Sequence, residues 1–171
     1  PQGAGKTTLP REVCAILARR DVRAAALSID DFYLTRAEQV ALAEAHPGNR
    51  YFAQRGLPGT HDVGLGTRTL RALRSLEPGQ RLAIPAYDKS AHSGRGDRRP
   101  ESEWPVLEGP LDIAILEGWM LGFVPVPEAE IRDPDFALAN GRLAAYAAWH
   151  DLLDAFIWLE PQDYNFVREW R

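Results

Sequence analysis

A glycine-rich segment at the start of the chain combines the residue types that bind a nucleotide phosphate. Residues 3–8 read G-A-G-K-T-T, and glycines allow consecutive backbone N–H groups to turn towards an anion. The helix predicted to follow presents its positive N-terminal end to the same anion. In such a loop Lys6 reaches the β- and γ-phosphates of ATP, and the Thr7 hydroxyl binds Mg²⁺. The alternative is an ordinary glycine-rich turn before a helix. The candidate nucleotide-binding residues are Gly3, Ala4, Gly5, Lys6, Thr7 and Thr8.

Two adjacent acids follow the next apolar segment, in the sequence S-I-D-D-F-Y at residues 28–33. Ligands of parallel sheets bind at the carboxyl ends of the strands. A carboxylate there would stand beside a γ-phosphate and accept the proton of an attacking hydroxyl. We predict that Asp30 is this base and that Asp31 and Tyr33 contact the acceptor. Alternatively, Asp30 or Asp31 caps a helix or closes a turn.

A third acid, Glu117, directly follows the apolar run I-A-I-L at residues 113–116. An acid after an apolar strand is placed to hold Mg²⁺ or its water shell opposite the loop hydroxyl. The alternative is a solvated acid at a strand end. Because Lys6, Asp30 and Glu117 all fall at predicted carboxyl ends of strands, a parallel sheet would bring the three together.

Two polar segments, residues 59–62 and 85–97, are dense in hydrogen-bonding side chains. They would form a wall suited to a small, oxygen-rich, anionic acceptor, with His61 in the first segment and Arg95 pairing with a carboxylate. A solvated flexible loop is the alternative. His46 and His150 lack such company, so we expect them at the surface or in packing. No His/Cys cluster indicates zinc.

The elements that must position these residues alternate between helix and strand. Short apolar runs predict strands at residues 22–29, 82–84, 111–116 and 155–159. Apolar residues at helical spacing predict helices at residues 6–20, 36–45, 67–76, 138–153 and 163–171. Residues 47–66 and 86–105 are predicted loops. This alternation indicates an α/β fold with three layers, α/β/α, and a mostly parallel sheet.

The composition is that of a soluble globular protein, with 45% hydrophobic and 26% charged residues in a chain of 171. We expect a single domain over residues 1–171. The formal net charge of −4 argues against nucleic acid as the main partner. Cys14 is the single cysteine, and neither a signal peptide nor an apolar run of about 20 residues is present. These features predict a cytoplasmic protein.

Both ends of the sequence are abrupt. A phosphate-binding loop of this kind follows a β-strand and begins with a further glycine, whereas here the loop opens the chain. We therefore expect that the first strand of the sheet is missing and that the last predicted helix is cut short.

Seven segments together resemble the motif series of D-glycerate 3-kinases and their fungal ATP-binding relatives. They are P-Q-G-A-G-K-T-T, S-I-D-D-F-Y-L-T, H-P-G-N, R-G-L-P-G-T-H-D, P-A-Y-D-K-S, G-R-G-D-R and L-E-G-W-M-L-G-F. More distantly the chain resembles uridine kinase, phosphoribulokinase and pantothenate kinase. The resemblance runs over residues 1–171 and implies a P-loop kinase fold.

The resemblance also implies an activity, the ATP- and Mg²⁺-dependent phosphorylation of a hydroxyl on a small metabolite, here D-glycerate. In the wider family the acid that matches Asp30 is the base. The residues that match Asp62, Tyr87 and His92 lie at the acceptor pocket. Arginines after the fourth predicted strand form a lid over the phosphates, and the matching candidates are Arg168 and Arg171.

Three other functions stay open at this point. The closest is the same chemistry on a nucleoside or a pantothenate-like alcohol. The second is a nucleotide-binding regulator, although a guanine-nucleotide switch would need an N-K-x-D motif, which the sequence lacks. The third is a non-catalytic binding module, against which the intact Lys6, Thr7, Asp30 and Glu117 argue.

Overall fold

The structure is a computed structural model that describes residues 8–160. Its helices are α1 Thr8–Ala18, α2 Arg36–Ala45, α3 Val63–Arg74, the short turn α4 Ala91–Gly94, α5 Pro134–Leu143 and α6 Ala147–His150. Its strands are β1 Ala24–Ser28, β2 Arg81–Ala83, β3 Tyr87–Asp88, β4 Asp97–Arg98, β5 Val106–Glu108 and β6 Ile113–Glu117. Within this part of the chain, no helix is long and apolar enough to cross a membrane.

A parallel pair of strands forms the centre of the fold. Strand β1 pairs with β6 in a register that sets Ala24 opposite Ile113 and Ser28 opposite Glu117. Both strands are runs of small and aliphatic residues, which suits a sheet covered by helices, and α1 packs against β1. The parallel pair and its helices confirm the predicted α/β class.

Two antiparallel pairs lie in the segment predicted as a polar loop and at its flanks. Strand β2 pairs with β5, and the short β3 pairs with β4. The predicted loop at residues 86–105 therefore contains a small hairpin whose ends are Tyr87 and Arg98. Single-sequence periodicity does not show two-residue strands, because the alternation needs at least four residues to be recognised.

The core lies between the parallel pair, α3 and the segment after α5. Its fully buried centre is Trp149, whose indole packs against Phe32 at 5.5 Å and Tyr146 at 5.2 Å between ring centroids. The cluster comprises Leu27, Ile29, Phe32, Leu70, Leu73, Ile84, Met120, Leu121, Leu143, Tyr146 and Trp149.

Helix α2 has the predicted bounds because its first turn carries its own start signal. The Thr35 hydroxyl accepts the N–H of Glu38, and the Glu38 carboxylate accepts the N–H of Thr35. This reciprocal capping satisfies two donors that would otherwise lack partners. Helix α3, in contrast, begins four residues before its predicted start, since Asp62 caps it by accepting the N–H of Leu65 at 2.8 Å.

Two further predicted elements differ from the structure. The predicted helix at residues 138–153 is instead α5, a 3₁₀ turn over Ala144–Tyr146, and α6; Asp133 and Pro134 start α5 earlier than the apolar spacing does. The predicted strand at residues 155–159 is wrong for the described chain. No described strand pairs with it, and the Ile157 side chain is 82% exposed. A strand without a hydrogen-bonded neighbour has no ladder to hold it.

Candidate active site

The carboxyl edge of the parallel pair gathers the predicted acids. Ser28 and Glu117 are register partners at the last positions of β1 and β6, and Asp30 follows two residues after Ser28. Close approach at this edge depends on Gly118, where an added Cβ would lie 2.4 Å from Cγ2 of Ile29. The sheet therefore brings Asp30 and Glu117 to one edge, as the strand-end argument predicts.

Asp30 lies in a single 3₁₀ turn, Ile29–Phe32, that follows β1 directly. The Ser28 hydroxyl starts this turn by accepting the Asp30 N–H at 3.3 Å, while Ile29 and Phe32 anchor it in the core. The carboxylate of Asp30 is left at the surface of the sheet edge, where its Oδ2 lies 2.6 Å from Nζ of Lys89.

Asp31 points to a different neighbour. Its Oδ1 accepts the backbone N–H of Tyr87 at 3.3 Å, which ties β3 to the turn after β1. Burial raises the pKa of the Asp31 carboxyl, and the hydrogen bond from Tyr87 opposes that rise. This geometry gives Asp31 an anchoring contact with the hairpin, which is neither the helix cap nor the turn considered from the sequence, and its contact with an acceptor stays a prediction.

Three aromatic rings form the wall next to Asp30. Tyr33 stacks on His61 with ring centroids 4.4 Å apart, and Tyr87 meets Tyr33 edge-on at 5.3 Å. Burial, together with the charge of Asp30, raises the pKa of the Tyr33 hydroxyl, so this phenol stays protonated at neutral pH. The predicted residues Tyr33, His61 and Tyr87 are thus brought together beside the predicted base.

His61 is a buried, neutral imidazole. Burial lowers its pKa to about 3, and the nearby Asp30 only partly opposes this effect. Nδ1 lies 2.7 Å from the Tyr146 hydroxyl, whose oxygen also accepts the N–H of Gly59. Nε2 is buried and has no hydrogen-bond partner among the described residues, and the contact of His61 with an acceptor stays a prediction.

Asp62 has both carboxylate oxygens engaged by the protein. Oδ1 caps α3, and Oδ2 lies 3.5 Å from Nη2 of Arg98. The same Arg98 nitrogen donates to the carbonyl of Tyr33 at 2.7 Å. Asp62 therefore joins the start of α3 to the β3–β4 hairpin, and its contact with an acceptor stays a prediction.

His92 and Arg95 lie at the rim of this cluster. Nε2 of His92 contacts Oδ2 of Asp97 at 3.1 Å, and the His92 side chain is half exposed. His92 and Ser93 both have positive φ, 51° and 58°, a conformation uncommon for residues other than glycine. Arg95 is exposed and its guanidinium makes no hydrogen bond or ion pair with another described residue.

The sequence patterns do not predict three cations at the site, namely Arg55, Lys89 and Arg98. The Arg55 guanidinium donates to the carbonyls of Gly94 at 2.9 Å, of Lys89 at 3.4 Å and of Arg95, and it lies 5.6 Å from the centroid of the Tyr87 ring. Arg55 and Arg98 come from predicted loops, where spacing carries no information on contacts. Lys89 has a signal that could have found it, since the chain contains only two lysines.

The predicted phosphate and lid residues fall outside the described chain, apart from Thr8. Thr8 begins α1 and is exposed; Gly3, Ala4, Gly5, Lys6, Thr7, Arg168 and Arg171 lie outside residues 8–160. Within those described residues, no cluster of three or more His, Cys, Asp and Glu side chains could hold a metal ion. Glu117 offers a carboxylate at the edge, the donor type that Mg²⁺ takes singly alongside phosphate oxygens.

Three known proteins share the sequence or the fold of this chain. "D-glycerate 3-kinase, chloroplastic" of Arabidopsis thaliana is 43% identical over 175 residues, covering 100% of this chain and 38% of that protein. "Probable ATP-dependent kinase TDA10" of Saccharomyces cerevisiae is 36% identical over 172 residues, covering 95% of this chain and 56% of that protein. The solved structure of a D-glycerate 3-kinase from Cryptococcus neoformans matches with a TM-score of 0.81 and 32% identity, over 95% of this chain and 61% of that one.

The chain is a homologue of D-glycerate 3-kinase. The resemblance predicted from the motif series is therefore confirmed, and the shared fold with a D-glycerate 3-kinase structure confirms the α/β class a second time. No protein-family model matches the chain. The chain spans less than two thirds of the length of each of these three relatives.

Proposed function

We propose that the whole protein transfers the γ-phosphoryl group of ATP to the 3-hydroxyl of D-glycerate, giving 3-phosphoglycerate. The observation that carries the proposal is the position of Asp30, an acid at the carboxyl edge of a parallel sheet beside a wall of aromatic and basic side chains. Homology to D-glycerate 3-kinase and to a protein named as an ATP-dependent kinase favours this activity over a switch or a binding module.

Asp30 acts as the general base in this proposal. As the acceptor oxygen forms its bond to the γ-phosphorus and the bond to ADP breaks, the hydroxyl proton passes to the Asp30 carboxylate. The 3₁₀ turn supports this role, because the Ser28 cap and the buried Ile29 and Phe32 hold the backbone on both sides of Asp30. His61 stacks on Tyr33 in the wall beside this base, and its contact with the acceptor is part of the proposal.

The phosphate side of the site rests on the phosphate-binding loop. Lys6 would neutralise charge on the transferring group and the N–H groups of residues 3–8 would hold the phosphates, with Arg168 and Arg171 as the proposed lid. Glu117 and Thr7 would hold Mg²⁺, which when bound neutralises the phosphate oxygens. Glu117 suits this part because β6 sets it opposite Ser28, close to the base in the register.

The proposed acceptor side consists of seven residues, namely Asp31, Tyr33, His61, Asp62, Tyr87 and the rim residues His92 and Arg95. A wall of this kind, with cations at its mouth, suits a small hydroxy acid better than a neutral alcohol. A cytoplasmic setting stays part of the proposal, although the name of the Arabidopsis relative places that protein in the chloroplast.

The first experiment measures ADP release by the full-length protein with Mg²⁺, with D-glycerate and with a panel of glycerol, uridine and pantothenate. We expect ADP release that depends on D-glycerate. In Asp30→Asn, turnover should fall by about 10²–10⁴-fold, the contribution of a general base, while nucleotide affinity changes little. Asp21→Asn is the matched control, since Asp21 lies in an exposed turn with φ of 58° that asparagine also tolerates.

The outcomes separate the open functions. Turnover with uridine or pantothenate and not with D-glycerate would keep the transfer chemistry and overturn the acceptor. Nucleotide binding without turnover on any acceptor would overturn the kinase and favour the regulator. Loss of nucleotide affinity in Asp30→Asn would contradict its role as the base.

A further inference from the structure

The chain contains two lysines, and both fall in segments that we assign to the site. The 20 basic residues include only Lys6 and Lys89 as lysine, and all others are arginine. Lys6 lies in the predicted phosphate-binding loop, and Lys89 contacts Asp30. Lysine differs from arginine in being a compact, strongly hydrated charge on a flexible stem. The chain thus uses arginine at every other such position and lysine at two positions where a compact, flexible ammonium suits phosphoryl transfer.

Hydrogen bonds hold the backbone on both sides of Lys89, whereas its side chain is largely exposed and contacts Asp30. The Lys89 carbonyl accepts from Arg55, and the next residue, Ser90, donates its N–H to Asp88 Oδ1 at 2.8 Å. Two residues earlier, the N–H of Tyr87 is held by Asp31. The Lys89 side chain itself is 60% exposed. Its ammonium can therefore move from one partner to another without disturbing the hairpin.

Among residues 8–160, the guanidinium groups of Arg55 and Arg98 have other partners. The Arg55 guanidinium is occupied by three backbone carbonyls, and Arg98 by the Tyr33 carbonyl and by Asp62. Arg95 is exposed at the rim. Within residues 8–160, the hydrogen-bonding partner of the Lys89 ammonium is Asp30 alone, at 2.6 Å. Lys89 is thus the described cation that contacts the proposed base directly.

This pairing suits a change of partner when an anionic acceptor binds. In a small hydroxy acid the carboxylate lies only a few bonds from the hydroxyl. When that hydroxyl contacts Asp30, the acceptor carboxylate is therefore close to the Asp30 carboxylate, and the two negative charges repel each other. When the Lys89 ammonium moves from Asp30 to the acceptor carboxylate, it neutralises the second negative charge. The move also releases Asp30 from a close ion pair that weakens its ability to accept a proton.

We propose that Lys89 is a specificity-determining residue that pairs with Asp30 in the free protein and with the carboxylate of the acceptor in the complex. This inference rests on the proposed function, because it takes the acceptor to be a hydroxy acid. Lys89 then selects D-glycerate over neutral alcohols of the same shape, and it couples acceptor binding to release of the base.

The test compares D-glycerate with its uncharged amide, D-glyceramide, as acceptors for the full-length wild type and for Lys89→Met and Lys89→Arg. We expect Lys89→Met to lower the ratio of kcat/KM for D-glycerate to kcat/KM for D-glyceramide by roughly 10- to 100-fold, the range of one charge-assisted hydrogen bond. Most of this fall should come from a higher KM for D-glycerate. Lys89→Arg should restore part of the ratio. Arg81→Met, which removes a charge from an exposed position on β2, should leave the ratio unchanged.

The result that overturns the inference is an equal fall for both acceptors, which is what a purely structural contact between Lys89 and Asp30 would produce. Unchanged kcat/KM for both acceptors in Lys89→Met would overturn it as well. Absence of glycerate-dependent turnover in the wild type is a different result, since it overturns the proposed function and this inference together. Unchanged KM for ATP in Lys89→Met verifies that the variant is folded.

Discussion

Asp30 and Asp31 are neighbours in the sequence but serve different contacts in the structure. Asp30 contacts the exposed ammonium of Lys89, whereas Asp31 is partly buried and accepts a backbone N–H from β3. The sequence context allows either residue to be the base or a structural acid. The partly exposed side chain of Asp30 at the sheet edge fits the proposed base, and the contact of Asp31 with an acceptor stays a prediction.

The burial of the His61 imidazole predicts that the protein loses stability at acidic pH. Its pKa is about 3 in the folded protein and about 6.5 unfolded, so between these values the unfolded chain binds the extra proton. Stability from His61 is complete above pH 6.5 and is lost as the pH falls towards 3. From pH 7 to pH 5 the free energy of unfolding should fall by about 1–2 kcal/mol more in the wild type than in His61→Phe.

Urea denaturation of the full-length protein and of His61→Phe at both pH values measures this difference. His150, whose pKa is also lowered by burial, is present in both proteins and cancels in the comparison. Parallel pH dependence of the two proteins would show that His61 gains a proton as readily folded as unfolded.

At the scale of the elements, α3 shows how packing overrides local preference. Its first two turns contain Gly64 and Gly66, which disfavour helix by up to about 1 kcal/mol each relative to alanine, and for this reason the sequence predicts a later start. The Asp62 cap and the indole of Trp149 outweigh that preference. The indole lies against the helix at Gly66 and donates from Nε1 to the carbonyl of Val63 at 3.0 Å.

Gly66→Ala should therefore destabilise the protein although alanine favours helix. An added Cβ would lie 2.3 Å from Cζ2 of Trp149, and the fully buried indole must shift to admit it. We expect a loss of about 1–3 kcal/mol in the free energy of unfolding, the cost of overpacking a core. Urea denaturation of the full-length protein measures it.

Gly64→Ala is the matched control in the same helix. Its added Cβ would be 3.3 Å from the flexible end of the exposed Arg68, so stability should be unchanged or rise by up to about 1 kcal/mol. Equal losses in the two variants would mean that α3 needs glycine for its backbone and not for contact with Trp149.

At the scale of the whole molecule, the parallel register is what joins distant parts of the chain into one site. Ser28 and Glu117 are partners across β1 and β6, and the hairpin that carries Lys89 closes over the same edge. The base, the proposed metal ligand and the proposed acceptor contacts therefore depend on one sheet and one short hairpin.

Glu117→Gln tests whether the sheet edge holds Mg²⁺. If Glu117 is the metal ligand, removing its charge should raise the Mg²⁺ concentration needed for half-maximal turnover by about 10-fold or more, with little change in the KM for D-glycerate at saturating Mg²⁺. Titration of the full-length enzyme with Mg²⁺ measures the shift. Glu108→Gln, an exposed acid in the β2–β5 pair, is the control, and an unshifted titration in Glu117→Gln would remove Glu117 from the metal site.

The sequence by itself determined the fold class, the bounds of α2, the positions of β1 and β6 within about two residues, and the placement of Asp30 at a strand end. These features depend on local patterns of apolar and capping residues, which neighbours in the chain supply. Tertiary structure alone decided that Asp31 anchors the hairpin, that α3 starts at Asp62, and that residues 155–159 do not form a strand within the described chain. It also decided the pairing of Lys89 with Asp30, 59 residues apart, because a contact between distant segments leaves no periodic trace in either of them.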